Sequence, residues 1–478
     1  MIEKIEPWIQ GKRVLLLGFG REGRSTYNVL RRLGTCSVLD VADQLALEDQ
    51  PEGIETWISG PDYQSCLNDY DVVFKSPGVV LERPAEEYRC QILSQTEVFF
   101  QCFRDQIIGI TGTKGKSTIT TLLYHLLKHA GYDTILVGNI GIPVFDLMED
   151  IRPETIIVCE LSCHQLEYMT VSPHIAVLSN IHEEHLDHYG TMEKYVRAKE
   201  HIFLNQRPED VLICSVQCLP EPGECVSRLI TACPAFAEPP LDRYWKEKKT
   251  PVRQDAPSLC VEENENATII RYEGTIYRIP QDRIRLMGQH NYFDIGFAYA
   301  VCRILHMSEE DFTKGLIDYE PLPHRLQFLG ELNGVKYYDD SISTICETAI
   351  QALKTLKDTD TILIGGMDRG IDYRELIEYL SRSPVPHIIL MEATGKRIFE
   401  EITEDYPEFE NMQRLIPAEH LEDAVQIAKE VTRPGHSCVM SPAAASYGIF
   451  RNFEERGERF RALVFAEQPE NTVFLRIL

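Results

Sequence analysis

Apolar residues along this chain fall into short continuous runs, each followed by glycine-containing sequence and then by a stretch with helical spacing. RVLLLGFG at 13–20 ends in glycines, and RSTYNVLRRLG then carries a helical pattern closed by Gly34. CSVLD, ending at Asp40, and DVVFKSPGVV, near residue 75, predict two more buried strands. QIIGITGTKGKSTITTLLYHLLKHAG repeats the order of strand, loop and helix, and TIIVCEL and IAVLSNI add runs rich in Val and Ile. Apolar strands without polar alternation, separated by helices, predict mostly parallel sheets covered on both faces, so the fold class is α/β.

Between about residues 216 and 285 the pattern weakens into Pro-rich and charged sequence, including LPEPGE and DRYWKEKKTPVRQ, which predicts a peripheral, antiparallel subregion. Helical spacing resumes in GQHNYFDIGFAYAVCRIL. After PLPHRLQFLG, the runs TILIGGM, HIILMEA and SCVMSPA predict the strands of a further α/β section. The expected domains are 1–98, 99–320 and 321–478, in line with 478 residues at roughly 150 per domain.

Acidic residues outnumber basic ones by 74 to 48, and the net charge of -26 disfavours nucleic acid and anionic membrane as partners. Small phosphorylated ligands stay open, because a few lysines and backbone amides bind them locally. MIEKIEPWIQGK lacks the pattern of a signal peptide, and no apolar run approaches the roughly 18 residues of a membrane span. The 14 cysteines are scattered, which suits reduced thiols in the cytoplasm. Cys214, Cys218, Cys225 and Cys233 cluster loosely without zinc-site spacing or an accompanying His.

Two glycine loops carry candidate chemistry. Gly18-Phe19-Gly20-Arg21-Glu22-Gly23 lies between a strand and a helix, where backbone amides can approach a diphosphate; such a turn also serves plain helix-sheet packing, and it does not separate NAD from a UDP-sugar. Gly112-Thr113-Lys114-Gly115-Lys116-Ser117-Thr118 is the stronger signal. Its amides would cradle phosphates, Lys116 would neutralise the β and γ oxygens, and Ser117 would ligate Mg²⁺. Ile110 stands where the general P-loop pattern GxxxxGK[ST] has its first Gly, so the loop is a variant. Glu160, at the end of VCEL, is a candidate Mg²⁺ ligand, and His185, in SNIHEEHLDHYG, could bind a cation or move a proton. Lys199, in YVRAKEHIF, has no distinguishing feature by itself, since a helical Lys is ordinarily a solvated charge.

Taken in order, GITGTKGKST, VGNIGIP, CELSCHQLE, SNIHEEHLDHYG with RAKEHIF, GQHNYFD, LPHRLQ, YYDDSIST, LIGGMDRG and MSPAAASYGIFRNFEERGERF resemble the Mur ligase family over essentially the whole chain. The resemblance implies a Rossmann-like N-terminal domain for a UDP substrate, a central P-loop ATPase domain and a Rossmann-like C-terminal domain for an amino acid. It implies a cytoplasmic, monomeric ligase that adds D-glutamate to UDP-N-acetylmuramoyl-L-alanine at the expense of ATP, through an acyl phosphate. By the same resemblance Gly18, Phe19, Gly20, Gly23, Asp40, Ser76 and Asn139 face the UDP substrate. Asn291, Arg325 and Asp340 join the P-loop at ATP, and Thr344, Arg369, Ser446 and Phe453 face glutamate. Glu160 and His185 position Mg²⁺, and Lys199 is carbamylated, its carbamate supporting the metal.

The pattern departs from the family at Ile342, where many members have Lys, at Ile345, where they have Asn, and at Gly448, where Asp is common. These changes keep an L-glutamate-adding branch in view. Another Mur-type or folylpolyglutamate-type ligase would share the ATPase core and differ in its N-terminal and C-terminal sites, and the FRNFEERGERF ending favours the glutamate-adding enzyme. An NAD-dependent oxidoreductase would leave GKST without a role, and a P-loop switch would leave the outer domains without one.

Overall fold

The computed structural model describes residues 1–46, 51–140, 142–234, 258–264, 267–406, 409 and 412–466. The chain divides into two compact units, Met1–Tyr319 and Glu320–Leu478.

The first unit holds two sheets. β1 (Arg13–Leu17), β2 (Val38–Asp43), β3 (Trp57–Ser59), β4 (Val72–Lys75) and β5 (Gln91–Leu93) form one, ordered β3-β2-β1-β4-β5 and parallel throughout. Strand order reverses between β1 and β4, which opens a crevice at their carboxyl ends. Helix α1 (Arg21–Leu33) follows β1 and ends at Gly34 in the left-handed region, as the glycine predicts. β2 runs three residues beyond Asp40, because Val41 and Ala42 continue the buried run between β1 and β3.

Among the described residues the second sheet has nine strands: β6 (Ile107–Thr111), β7 (Thr134–Gly138), β8 (Ile156–Glu160), β9 (Ile175–Leu178), β10 (Val211–Ser215), β11 (Arg228–Pro234), β12 (Leu259–Asn264), β13 (Ala267–Tyr272) and β14 (Thr275–Arg278). Their order is β14-β13-β12-β11-β10-β9-β6-β8-β7. The region expected to be peripheral and antiparallel extends this sheet instead. β11 and β12 add in parallel, since Ile230, Ala232, Leu259 and Val261 are buried in the same core as the central strands, and antiparallel pairing begins only at β13. Residues 235–257 of that region, with DRYWKEKKTPVRQ, lie outside the described residues. Helix α2 (Lys116–His129) follows β6, α3 (Met192–Glu200) carries Lys199, and α4 (Gln289–Ile304) packs on α2. The first two sheets share one apolar core: Val14, Leu16 and Phe74 belong to the same cluster as Val137, Ile157 and Ala176.

The second unit has its own six-stranded sheet, β15 (Gln327–Leu332), β16 (Val335–Asp339), β17 (Thr359–Gly365), β18 (His387–Met391), β19 (Leu415–Ala418) and β20 (Ser437–Met440), ordered β15-β16-β20-β17-β18-β19. Only β15 is antiparallel. Helices α5 (Glu392–Asp405) and α6 (Phe453–Phe465) are among those that cover it. No helix among the described residues is long and apolar enough to cross a membrane.

Candidate active site

The phosphate loop is built by the end of β6 and the start of α2. Ile110 replaces the customary glycine because it is a fully buried strand residue, and the loop begins only after Thr111. Gly115 caps α2 with φ +81, and a Cβ there would lie 2.5 Å from Asp294 Oδ1 on α4. Glycine thus satisfies both the left-handed backbone and the close approach of α4. Asn291, one turn earlier on α4, is buried, and its side-chain amide donates to the Met287 carbonyl at 2.6 Å.

Two ammonium groups converge on this loop. Lys116 Nζ donates to the carbonyls of Gly112 and Thr113, each at 3.0 Å, and Lys199 Nζ donates to the same Gly112 carbonyl at 2.7 Å. Lys199 is 1% exposed and lies over the Tyr195 ring, so the structure departs from the ordinary expectation of a solvated helical lysine. Burial, reinforced by the Lys116 ammonium, pushes Lys199 down to about 7, and burial lowers Lys116 as well.

Glu160 ends β8 in register with Ile110 of β6. Its Oε1 accepts from the Asn139 side chain at 2.7 Å, while its Oε2 is buried with no hydrogen-bond partner among the described residues. A buried carboxylate oxygen left open beside a phosphate loop suits a cation. Among the described residues, no three His, Cys, Asp or Glu side chains assemble to hold a metal by themselves. The open Glu160 oxygen beside the phosphate loop fits Mg²⁺, which is usually bound through one or two carboxylates together with substrate phosphates.

Lys116, Asn139, His185 and Lys199 line one cavity of about 360 Å³, together with Pro77 and Gly78 from the loop after β4. Ser162, Cys163, His164 and Glu184 also line it, and sequence reasoning missed all four. Their signal was available, since CELSCH and HEEH adjoin residues that were singled out. His185 adopts φ +57, and its ring packs edge-on to His164 at 4.9 Å between centroids. Ser117 and Thr118 open α2, and the backbone amide of Lys114 donates to Asn180 Oδ1 at 2.8 Å.

At the crevice of the first sheet, Ser76 Oγ donates to the Gly18 carbonyl at 2.8 Å. Gly23 is required by packing, because a Cβ would lie 2.2 Å from the Gly18 oxygen. Gly20 caps α1. Asp40 is engaged inside the fold: its oxygens accept from Thr56 N at 2.8 Å and from Tyr70 OH at 2.7 Å. The carboxylate at the end of β2 is Asp43, whose Oδ2 accepts from Phe19 N at 2.6 Å. Its Oδ1 accepts from Leu45 N at 3.0 Å, and the expected strand end at Asp40 left Asp43 out of the candidates.

The remaining candidates belong to the second unit. Asp340 follows β16 and accepts from Ser343 Oγ, Ser441 Oγ and Leu326 N; burial nonetheless holds its carboxyl up at about 6. Arg325 Nε is buried without a hydrogen-bond partner among the described residues. Arg369 Nη2 reaches the Thr344 carbonyl at 3.4 Å, Ser446 is buried in the loop after β20, and Phe453 opens α6.

Residues 110–230 match the Mur ligase middle domain. The MurF ligase of Thermotoga maritima in complex with ADP superposes with a TM-score of 0.55 at 16% identity, covering 97% of this chain and 96% of that one. A MurF from Acinetobacter baumannii gives 0.59 at 15% identity, over 97% and 98% of the two chains. A curated relative is 33% identical over 95% of this chain and 97% of its own length. The chain belongs to the Mur ligase family. That relative is the UDP-N-acetylmuramoylalanine--D-glutamate ligase of Acetivibrio thermocellus. The protein of the same name from Clostridium acetobutylicum is 31% identical, over 96% of this chain and 97% of its own.

Proposed function

We propose that this chain ligates D-glutamate to UDP-N-acetylmuramoyl-L-alanine with conversion of ATP to ADP and phosphate, a step in making peptidoglycan precursors. The observation that carries the reading is the convergence of Lys116 and Lys199 on the Gly112 carbonyl, beside the open oxygen of Glu160. The Lys116 ammonium and a helix N-terminus there offset the charge of a triphosphate meeting a carboxylate, and Lys199 lies beside them where a carbamate would support the metal.

In the first step an oxygen of the alanyl carboxylate attacks the γ-phosphorus, the bond to the β-phosphate oxygen breaks, and ADP leaves an acyl phosphate. In the second the glutamate amine attacks the acyl carbon, phosphate departs and an amide forms. Lys116 neutralises the transferring phosphoryl group, and Asn139 holds Glu160 by its side-chain amide while its own edge of the cavity faces the acceptor. Mg²⁺, held by Ser117, Glu160 and His185, would supply charge neutralisation on the phosphates. Lys199 is suited to carbamylation: its lowered pKa favours the neutral amine, which adds CO₂ and releases a proton to become an anion.

Functional domains at 1–98, 99–320 and 321–478 then take the UDP substrate, ATP and glutamate in turn. Gly18, Phe19, Gly20, Gly23 and Ser76 form the UDP crevice, with Asp43 a better placed carboxylate than Asp40. Asn291 joins the ATP site of the first unit, and Thr344, Arg369, Ser446 and Phe453 form the glutamate pocket of the second. The second reading, L-glutamate addition, is kept in view by Ile342, Ile345 and Gly448, which depart from the Lys, Asn and Asp of the resemblance. Phosphate release is to be measured with Mg²⁺-ATP, UDP-N-acetylmuramoyl-L-alanine and D-glutamate, L-glutamate or no amino acid, with mass analysis of the product. Release that requires D-glutamate and yields a product heavier by one glutamyl residue supports the proposal. Release with L-glutamate alone transfers it to the second reading, and no substrate-dependent release rejects both.

A further inference from the structure

Arg456 is the largest fully buried side chain of the described residues, and the chemistry derived above gives it no part. It lies on the first turn of α6, in the sequence NFEERG. Its Nε donates to Ser341 Oγ at 3.0 Å, and its Nη2 donates to the carbonyls of Ser341 at 2.8 Å and Ala444 at 3.0 Å. Ser341 Oγ in turn donates to the Phe453 carbonyl at 2.8 Å. The Nη1 end lies against Gly366, where a Cβ would stand 2.9 Å away.

These contacts reach four separate segments, and each carries one candidate glutamate residue. Ser341 is three residues before Thr344, Ala444 two before Ser446, Gly366 three before Arg369, and Phe453 three before Arg456 itself. The segments are also tied to one another: Met367 N donates to the Ala445 carbonyl at 2.9 Å, and Arg369 reaches the Thr344 carbonyl. A guanidinium is planar and offers five donors in a fixed fork, so a single side chain sets the relative position of several backbones. Nη1 has no hydrogen-bond partner among the described residues, and neither has the buried Oε1 of Glu392; burial pushes the guanidinium down to about 10, against the opposing pull of Glu392 and Asp339. Packing alone would be served more cheaply by an apolar side chain of similar volume.

We infer that Arg456 is the positioning residue of the amino-acid pocket, fixing the segments of Thr344, Arg369, Ser446 and Phe453 in register without touching the substrate. The inference rests on the reading of this pocket as the glutamate site.

The test compares full-length wild type with Arg456→Lys and Arg456→Met in steady-state phosphate release, varying glutamate, ATP and UDP-N-acetylmuramoyl-L-alanine in turn, alongside thermal melts. Lys keeps the charge and cannot span Ser341 and Ala444 together. Both variants are expected to raise KM for glutamate about 10-fold or more. KM for ATP and for the UDP substrate should stay within about two-fold, and Lys should recover melting temperature without recovering glutamate KM. Ser341→Ala, which removes only the hydroxyl shared by Arg456 and Phe453, should give the same split more weakly, and it decides the matter if both arginine variants fail to fold. A glutamate KM unchanged in folded variants, or three KM values rising together, overturns the inference. A wild type that turns over without glutamate overturns the reading beneath it.

Discussion

Lys199 and Lys116 share one backbone carbonyl, so each ammonium raises the cost of the other's charge. Converting Lys199 into an anion relieves that repulsion and creates an attraction in its place. Lys199→Ala should therefore lower ligation on the order of 10²-fold or more, with partial recovery in formate or acetate, small anions able to enter the vacated space. Full activity in the variant, read as glutamate-dependent phosphate release, would refute the role. Asp340 gives a prediction about pH. Its carboxyl rises from 3.8 to about 6 through burial, so the folded state binds the proton more tightly than the unfolded one. The associated stability is present below about 4 and is lost as pH rises through about 6. Asp340→Asn, compared with wild type by thermal melting, should gain on it between pH 4 and 7, by up to about 3 kcal/mol. A difference that stays flat with pH would rule this out.

The same residues show what could be read without coordinates. Lys116 and Ser117 were legible because a phosphate loop is a local pattern. Lys199 was singled out only through its resemblance to the family, since its burial depends on Gly112 and Tyr195, remote from it or silent in sequence. Arg456 was not legible at all. Its partners lie 12 and 115 residues away, and nothing in FRNFEERGERF distinguishes a buried arginine from an exposed one.

At the scale of elements, apolar runs identified the central strands well, because parallel strands buried on both faces carry no competing pattern. Ends were harder. β2 outran its expected end because the residues after Asp40 stay apolar, and β11 and β12 were hidden among prolines and charges. The junction of β6 and α2 supplies a sharper test. Gly115→Ala meets both a left-handed backbone and Asp294, whereas Gly131, with φ +82, has open space around it. Gly131→Ala should cost only the backbone strain, about 1 kcal/mol, with activity retained. Gly115→Ala should lose nucleotide-dependent turnover by more than about 10-fold, because the amides that receive phosphate must shift. Equal behaviour of the two variants in ATP titrations would contradict this account of the loop.

Across the whole molecule, three sheets do not amount to three independent folding units. The first sheet completes its core with residues of the second, among them Val137, Ile157 and Ala176, while the third has its own core around Leu363, Ile389 and Val425. A fragment of residues 320–478 should melt cooperatively by circular dichroism, and a fragment of residues 1–98 should not. The opposite result would mean that the shared core contributes little to holding the first sheet together.

The same asymmetry bears on how such a chain diversifies. A crossover between Tyr319 and Glu320 divides none of the three sheets, and it carries the amino-acid pocket across whole, with Arg456 and every segment it ties. A crossover near residue 98 would split one core between two parents. On the proposed reading of the two units, inheritance can exchange the incoming amino acid as a module, whereas a change of nucleotide-sugar must arise by gradual substitution inside a unit that cannot be divided.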